Sequence, residues 1–361
     1  MKPRNLTIDI AKGLVVLIIP ATHVILYYST QAVRQGVLGS VLRCFSEGVG
    51  AQVLMFLLGF SFFLGRDKSV KFIFKRSISI FLLAYLLNFI GFVLPTAFGL
   101  MPDSFFSYYR LQTGVFGVID LLMVGAIFQF AAISYLVCGI LHHFRVRFGF
   151  VSFFTMIVLA ISPMAWGIRL DNFLLDYVLK LLNGCPPAVF FPFFPWGVYP
   201  LLGYIFGILF KNMPTEQFYR TTMITGVVCV IIGISGVQIE PRFFNMTFYR
   251  LGPAGTLLHC GLVLLWLNMS HFLAAKLRKG RYFLFVVYWC STHITAIYLI
   301  QWVLICWLFP FYGFMKLDSI ETLKAIIVIS GLTVLLVAAA EFYKRSKTGR
   351  KRENIASTPV Y

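Results

Sequence analysis

Long apolar runs separated by short polar segments repeat along the whole chain. Each run is long enough to cross a bilayer as a helix, because about 20 apolar residues span the hydrocarbon core. The runs are continuous rather than alternating, which indicates α-helices and not the strands of a β-barrel. The pattern predicts an all-α polytopic integral membrane protein of about ten transmembrane helices, at residues 8–28, 48–65, 77–97, 114–141, 149–168, 194–211, 221–238, 254–271, 284–308 and 322–342.

Composition and charge support this class. Of the 361 residues, 59% are hydrophobic and only 12% are charged, with a mean hydropathy of +0.85, whereas a soluble domain carries about 25% charged residues. The net charge of +18 does not indicate nucleic-acid binding, because the basic residues lie between the apolar runs and in the C-terminal tail. With both termini in the cytoplasm, 22 of the 31 lysines and arginines are cytoplasmic. The positive-inside rule therefore predicts cytoplasmic termini and an even number of spans. Eleven spans are the alternative only if a run such as 114–141 is broken.

The chain divides into one membrane domain and a tail. We expect residues 1–345 to form a single transmembrane domain and residues 346–361 to form a basic, disordered cytoplasmic tail. The first apolar run is too long for a cleavable signal peptide. The seven cysteines are scattered, without a CxxC pair or metal-ligand spacing, so we predict no disulfide framework and no metal site.

The outer loops are richer in aromatic residues than the inner ones. One of them contains the stretch PPAVFFPFFPWG, and Tyr and Trp at this level suit the membrane interface. The segment 172–183 has helical spacing, with Asp176 and Lys180 four residues apart, and is predicted to lie on the outer surface. No internal repeat is evident.

Polar residues in the first span are the strongest functional signal. An ionisable side chain inside a membrane helix costs a few kcal/mol, so it is a functional candidate. Asp9 and His23 are separated by about 21 Å of helix, and Lys12 is three whole turns from His23, so all three share one face. Pro20 removes one backbone hydrogen bond just before His23. The face joins a charged pair near the cytoplasm to a histidine in the outer half.

Other polar residues fall at similar depths in the predicted topology. Asp120, Glu47 and His259 are expected in the outer half, His293 near mid-membrane, and the stretch RDKSVKFIFKR at the inner surface. Each has a structural alternative. An intramembrane histidine can simply hydrogen-bond neighbouring helices, Asp9 and Lys12 can be an interfacial pair, and the basic stretch can serve orientation alone. His142 and His143, in an inner loop, are expected to be solvated.

Several stretches, in their order, resemble the transmembrane acyltransferase superfamily. The first span follows its opening pattern through Arg4, Asp9, Lys12, Gly13 and His23. GVGAQVLMFLLGFSFFLGR and FIFKRSISIFLLAYLLNFI resemble the second and third spans. GVFGVIDLLMVGAIFQFAAISYLVCGIL and FFPFFPWGVYPLLGYIFGILF resemble segments of the heparan-α-glucosaminide N-acetyltransferase-like branch, and STHITAIYLIQWVLI resembles a late helix of the superfamily. The resemblance covers most of the chain, to about residue 310.

The chain departs from these patterns at three places. Lys12 replaces the commoner arginine, which would turn a bidentate phosphate contact into a point charge. Gln301 stands where the superfamily often has its late histidine. The loop 29–47 lacks the histidine of the heparan branch, so His23 has to take the catalytic role, as in the acyltransferase 3 branch.

The resemblance implies transfer of an acyl group, commonly acetyl, from cytoplasmic acyl-CoA to a hydroxyl or amine of an extracytoplasmic sugar or glycan. His23 would be the general base, because imidazole titrates near neutrality. A carboxylate, Asp120 or Glu47, would orient the ring. The CoA-binding residues would be Asp9, Lys12, Lys75 and Arg76. No metal is implied, and the expected location is the bacterial inner membrane, with a homodimer possible.

Two other function classes stay open on the residues alone. Intramembrane histidine and aspartate also serve proton relays, so a proton-coupled transporter is the first alternative. Transporters usually carry an internal repeat with paired broken helices, which counts against it. The second alternative is a non-catalytic partner in an envelope-glycan pathway.

Overall fold

The computed structural model describes residues 5–112, 114–239, 248–277 and 280–356, with side chains through residue 347. Ten long helices organise this part of the chain. They are α1 Leu6–Tyr28, α2 Val37–Leu64, α3 Val70–Ala97, α4 Ile127–His143, α5 Phe148–Ala165, α6 Phe193–Asn212, α7 Thr215–Ile239, α8 Pro253–Lys276, α9 Arg281–Trp307 and α10 Ser319–Ala356. Shorter helices are Gln31–Gln35, Asp103–Tyr109, Val115–Leu122, Phe173–Asn183 and Phe309–Tyr312.

The predicted fold class is confirmed. Within the described ranges, nine helices are long and apolar enough to cross a membrane, and α4, with 17 residues, is shorter. Successive crossings alternate between two ends of the bundle. We call the end with residues 65–69, 144–147 and 213–214 the N-terminal end, because α1 starts there. The distal end holds residues 29–36, 98–126, 166–192, 248–252 and 308–318. Which end faces the cytoplasm stays a prediction, and Arg242, Arg278 and Lys279, used for it, lie outside the described residues.

The predicted fourth span, 114–141, is wrong as one continuous helix. The chain forms the short helix Val115–Leu122, turns at residues 123–126 and continues as α4. Long-range hydrogen bonds hold the break open: Gly125 donates to the Ala188 carbonyl and accepts from the Phe190 amide, at 2.8 and 2.7 Å. The Asn88 amide group donates to the carbonyls of Leu122 and Val124, at 2.9 and 2.8 Å. These partners lie far away in sequence, so hydropathy alone could not reveal the break.

Several helices extend beyond the predicted apolar windows, because polar turns continue them outside the hydrocarbon. α3 starts at Val70, where the Ser69 hydroxyl caps the helix by accepting from the Phe72 amide. α10 runs to Ala356, past the predicted domain boundary at residue 345 and into the segment predicted as a disordered tail. Residues 357–361 lie outside the described part of the chain.

Glycines bring α2 and α6 into backbone contact. A Cβ added at Gly203 would lie 1.9 Å from the Phe56 carbonyl oxygen, and one at Gly59 would lie 1.9 Å from the Pro200 carbonyl oxygen. Any larger residue would force the two helices apart. These glycines belong to the FLLGF and GYIFG stretches of the sequence, so close helix packing explains both motifs.

Helix α1 lies inside the bundle, where it packs against α2, α8, α9 and α10. Polar contacts in both halves of the helix fix its position along the bundle axis. The Trp266 indole of α8 donates to the Ala11 carbonyl at 3.1 Å. The Tyr28 hydroxyl donates to the Ile305 carbonyl of α9 at 2.6 Å. The helix that carries the predicted site residues is therefore held by neighbours on several sides.

Candidate functional site

His23 lies on the buried side of α1, about one turn before that helix ends at the distal end. Its Nδ1 atom is 3.1 Å from Oε1 of Gln301, on α9. The ring also meets the edges of Trp302 and Tyr298, with centroid distances of 4.8 and 6.0 Å. Gln301 is fully buried. The predicted carboxylate beside His23 is therefore replaced by a glutamine amide.

The hydrogen bonds of Gln301 decide where the His23 ring holds its proton. The Gln301 amide nitrogen donates to the Tyr298 carbonyl at 3.2 Å, so the amide oxygen is the atom that faces His23. An oxygen only accepts, so Nδ1 must donate, and in a neutral ring Nε2 then carries a lone pair. Nε2 bonds to no residue in the described ranges. His23 is therefore arranged as a neutral base.

Contacts join His23 to a group of residues that we call the chamber: His23, Glu47, Tyr249, His259 and Tyr298. The ring centroids of His23 and Tyr298 are 6.0 Å apart, and Gln52 links the Glu47 carbonyl to His259. His23, Tyr249 and Tyr298 are half-buried. Tyr249, in the loop after α7, lies within electrostatic range of Glu47 and Tyr298. Burial raises the pKa of Tyr249 well above its usual value, and the neighbouring Tyr109 and Glu47 raise it further. Tyr249 therefore remains a neutral hydroxyl.

Glu47 lies in a π-helical turn of α2, Ser46–Gly50, and is half-buried. Such turns often accompany functional sites. The Glu47 carbonyl, released from the regular helix pattern, accepts from the Gln52 amide nitrogen at 2.5 Å. The same nitrogen is 2.9 Å from Nδ1 of His259. Gln52 thus links the backbone of this turn to His259.

Asp120 lies apart from His23, in a cleft of about 170 Å³ at the distal end. The charged residues lining this cleft are Arg110, Asp120 and Lys180, beside Tyr177. The Asp120 carboxylate makes no hydrogen bond or ion pair within the described ranges. The predicted helix is present at Phe173–Asn183 and forms one wall, and its Asp176 and Lys180 form an ion pair at 3.0 Å.

An aromatic cavity continues from the cleft toward His23. The cleft and the cavity share Leu111 and Pro187 as lining residues, and Tyr27 of α1 lines the inner part. Tyr27 in turn meets Trp302 edge-on at 5.3 Å, and Trp302 contacts His23. Asp120 and His23 therefore lie at the two ends of one chain of contacts rather than side by side.

The predicted charged pair of α1 lies toward the N-terminal end. Asp9 is 5% exposed and accepts a hydrogen bond of 2.7 Å from the Ser291 hydroxyl of α9. Lys12 is half-buried on the same helix. Gly13, next in the motif, lets α9 approach, since a Cβ there would lie 2.2 Å from the Val287 carbonyl oxygen. Asp9 thus also joins α1 to α9.

Lys75 and Arg76 are exposed on α3, which packs mainly on α4. No described contact joins them to α1. A second group of basic residues surrounds Asp67 at the N-terminal end: His142, Arg145 and Lys211. The His142 Nε2 atom lies 2.9 Å from the Asp67 carboxylate. That hydrogen bond, then the charges of His142, Arg145 and Lys211, lower the pKa of Asp67. The expectation that His142 is merely solvated is wrong, because Asp67 is its partner.

His293 makes local contacts on the α10 side of α9. Its Nε2 lies 3.3 Å from the Glu341 carboxylate, and its ring stacks on Trp289 at 4.8 Å. This agrees with the structural reading of that histidine. In the described ranges, no three His, Cys, Asp or Glu residues form a group that could hold a metal ion.

Sequence reasoning gave no role to three members of this region: Gln52, Tyr249 and Gln301, although Gln301 was noted as a departure from the superfamily pattern. Two of them carried a usable signal, since a glutamine inside an apolar span needs a hydrogen-bond partner. Gln52 and Gln301 each bond a histidine. Tyr249 carried no signal, because only tertiary packing brings its loop over the helices.

Comparison with known proteins places the chain in a family. No curated protein matches the chain. The model of the family described as heparan-alpha-glucosaminide N-acetyltransferase, catalytic, matches residues 4–239, which include Asp9, Lys12, His23, Glu47 and Asp120. Gln301 and His259 lie beyond the match. Because the match covers well over half of a multi-pass membrane chain, this protein belongs to the heparan-α-glucosaminide N-acetyltransferase catalytic family, whose activity is membrane acetyl transfer.

Proposed function

We propose that this protein transfers an acyl group, in the first instance acetyl, from acyl-CoA to an amine or hydroxyl of a sugar or glycan. The observation that carries the proposal is the pair of His23 and Gln301. It gives a half-buried imidazole with its lone pair on Nε2. A base of this kind is what attack by an amine or hydroxyl on a thioester requires.

In the proposed reaction, His23 takes up the proton of the acceptor and later returns it to the leaving group. The acceptor nitrogen or oxygen attacks the thioester carbonyl carbon, and its proton moves to Nε2. A tetrahedral intermediate forms, the carbon–sulfur bond breaks, and the imidazolium returns the proton to the leaving sulfur. The products are the acylated sugar and CoA thiol. Gln301 accepts from Nδ1 throughout, so the ring keeps its orientation in both protonation states.

The distal cleft supports an entry route for the acceptor. Its polar lining, with an aromatic side chain beside it, suits a sugar: Asp120 can accept from hydroxyl or ammonium groups, and Tyr177 offers a ring face. In this proposal Asp120 binds the acceptor at the mouth of the route. Glu47 stays a candidate for receiving the acceptor, since it lies within electrostatic range of Tyr249 in the chamber.

The N-terminal end supports the donor site. Lys12, Lys75 and Arg76 bring positive charge there, as the phosphates of CoA require. Asp9 then positions α1 against α9 through Ser291. The excess of basic residues at this end favours a cytoplasmic location for it. Donor and acceptor would thus reach His23 from opposite sides of the membrane.

The test uses purified protein in detergent or nanodiscs, with labelled acetyl-CoA and a panel of amino sugars and hydroxyl sugars. We expect acetyl transfer by the native protein, and loss of transfer in His23→Ala with unchanged stabilisation by CoA, because the base is removed and the donor site is not. His293→Ala is the matched control, since it removes another membrane histidine outside the chamber. Normal turnover by His23→Ala contradicts the assignment.

The donor site has its own test. The double variant Lys75→Ala/Arg76→Ala is expected to weaken CoA binding, measured by the CoA-dependent rise in melting temperature. Lys316→Ala/Lys324→Ala is the control, because it removes two exposed charges at or near the distal end. Equal CoA affinity in both variants would leave Lys75 and Arg76 as topology signals. A native protein that CoA does not stabilise at all would favour a transporter.

A further inference from the structure

His259 faces the chamber from α8. Thr256 and Val263, three and four residues away on the same helix face, are 0% and 1% exposed. His259 lies between them and still keeps accessible surface, although protein largely encloses it. The ring is therefore less tightly packed than its neighbours on that face. It is the second imidazole of the chamber, and the proposed reaction does not yet use it.

The orientation of Gln52 fixes the proton on His259. The Gln52 amide nitrogen bonds to the Glu47 carbonyl, and a reversed amide would set two oxygens against each other there. The same nitrogen is 2.9 Å from His259 Nδ1, so Nδ1 accepts. A neutral ring then carries its proton on Nε2. Nε2 has no protein partner in the described ranges.

This orientation leaves the amide oxygen of Gln52 in an unfavourable position. The side chain is 0% exposed, and Oε1 has no hydrogen-bond donor among the described residues. Buried polar atoms are rarely left without a partner. An amide held in this way, against its own hydrogen-bonding preference, marks a position where orientation of the neighbouring ring matters.

The two histidines of the chamber thus carry opposite groups on Nε2. His23 offers a lone pair on Nε2, and His259 offers an N–H on Nε2. We propose that His259 is a catalytic residue that donates a hydrogen bond to the thioester carbonyl oxygen of the bound acyl donor. This rests on the proposed acyl transfer and adds the group that receives the developing negative charge.

The positions of the two rings along the membrane fit this division. α1 and α8 run antiparallel, with Thr7 near His271 and Ala11 near Trp266. Continuing this register places His259 level with residues 18–19 of α1. His23 is then four or five residues nearer the distal end, about 6–8 Å along the axis. A thioester carbonyl group between the two rings would meet the His259 N–H on one side and the His23 base on the other.

The His259 N–H acts in the same step as the His23 base. When the acceptor attacks, the carbonyl carbon–oxygen double bond becomes a single bond and the oxygen gains a negative charge. The His259 N–H stabilises this oxygen without giving up its proton. When the carbon–sulfur bond breaks, the double bond re-forms and the hydrogen bond weakens. A neutral donor placed in advance is worth most in such a site, because no reorganisation is needed.

The protonation state can be measured without any activity. In native protein carrying ¹⁵N-labelled histidine, we expect His259 to show a protonated Nε2 and an unprotonated Nδ1, and His23 the reverse, with the signals assigned by loss in His259→Gln and His23→Gln. In Gln52→Glu, the carboxylate can only accept, so His259 should move its proton to Nδ1. A native His259 with its proton on Nδ1 overturns the proposal.

Kinetics then test the catalytic role. His259→Ala should lower kcat about 10²- to 10³-fold, as loss of one such donor does elsewhere, with unchanged KM for acetyl-CoA. His259→Gln should recover part of the rate, because its amide also donates. His271→Ala, on the same helix but stacked on Tyr219, should keep the native kcat. Gln52→Glu should lower kcat like His259→Ala while keeping the imidazole.

The outcomes separate the two proposals. Native protein that transfers no acyl group to any acceptor contradicts the proposed function, and the labelled-histidine spectrum still decides the arrangement at His259. Active native protein with a fully active His259→Ala variant contradicts only the donor role. If Gln52→Glu does not fold, the His259→Ala and His259→Gln pair decides, since both leave the Gln52–Glu47 contact in place.

Discussion

Replacing Gln301 by leucine isolates the contact on which the base assignment depends. Gln301 is 0% exposed, and its oxygen is the described partner of His23 Nδ1, at 3.1 Å. Leucine has a similar size and keeps the packing of α9 against α1, but it offers no acceptor. The Tyr298 carbonyl loses the amide donor and keeps its place in the helical hydrogen-bond pattern. The change therefore acts mainly on the His23 ring.

The expected size follows from that one hydrogen bond. Leaving a buried donor such as Nδ1–H without a partner costs about 1–3 kcal/mol. The ring avoids this cost by moving its proton to Nε2, which removes the lone pair that the reaction needs. Since about 1.4 kcal/mol is a factor of ten in population, the base-competent form should fall by roughly 5- to 150-fold. We expect kcat to fall by one to two orders of magnitude.

The assay measures acetyl transfer at saturating acetyl-CoA and acceptor, normalised to folded protein. Gln301→Glu restores an acceptor and should retain much more activity than Gln301→Leu. Gln129→Leu is the matched control: Gln129 is 1% exposed and bonds only backbone atoms, those of Val124 and Ala126. It should lower the melting temperature and leave kcat near the native value.

The reasoning is refuted if Gln301→Leu keeps the native kcat, or if Gln301→Leu and Gln301→Glu lose activity equally. Equal loss would mean that the position matters for packing and not for the proton on His23. A fall in CoA binding with unchanged kcat would place Gln301 in the donor site instead.

Three further predictions concern other regions. Gly203→Val should destabilise the protein by about 1–3 kcal/mol or prevent folding, because a Cβ there would lie 1.9 Å from the Phe56 carbonyl oxygen. Gly331→Val is the control and should fold normally, because a Cβ there has nothing within 4 Å. Thermal unfolding measures both variants. Asp120→Asn should raise KM for the acceptor and not for acetyl-CoA, with Asp171→Asn as the exposed control; an unchanged acceptor KM would remove the cleft from the route. Because the His142 hydrogen bond lowers the pKa of Asp67, its stabilisation is complete above the usual carboxylate pKa of about 4 and is lost as pH falls below it. The melting-temperature difference between native protein and Asp67→Asn should therefore shrink at acid pH, and a constant difference would contradict this.

Hydropathy predicted most of the helices, because burial in lipid demands long apolar runs with satisfied backbones. It failed at residues 123–126, where Gly125 pairs with the chain near Val189 and Asn88 holds two carbonyls. It also missed helix ends that leave the apolar layer, such as the start of α3. Both kinds of error arise where polar contacts, rather than apolar length, decide the backbone.

The site was predictable in part for the same reason. Asp9, Lys12 and His23 are conspicuous because charged and polar groups are costly in a membrane, and helical geometry alone puts them on one face. As a glutamine inside an apolar span, Gln301 signals a need for a hydrogen-bond partner. Its pairing with His23 was not predictable, because Gln301 lies on another helix and competes with two carboxylates at similar predicted depth. In the structure, Asp120 lines the distal cleft and is not the partner of His23.

The sequence by itself determined that this chain is a helical membrane protein, that α1 carries the unusual polar residues, and that its motifs resemble an acetyltransferase family. These follow from properties local to one helix: length, apolarity and the 3.6-residue period. Only the tertiary structure decided which nitrogen of each chamber histidine holds the proton. That depends on glutamines from other helices, and the choice of atoms across a helix interface is set by packing that no single segment encodes.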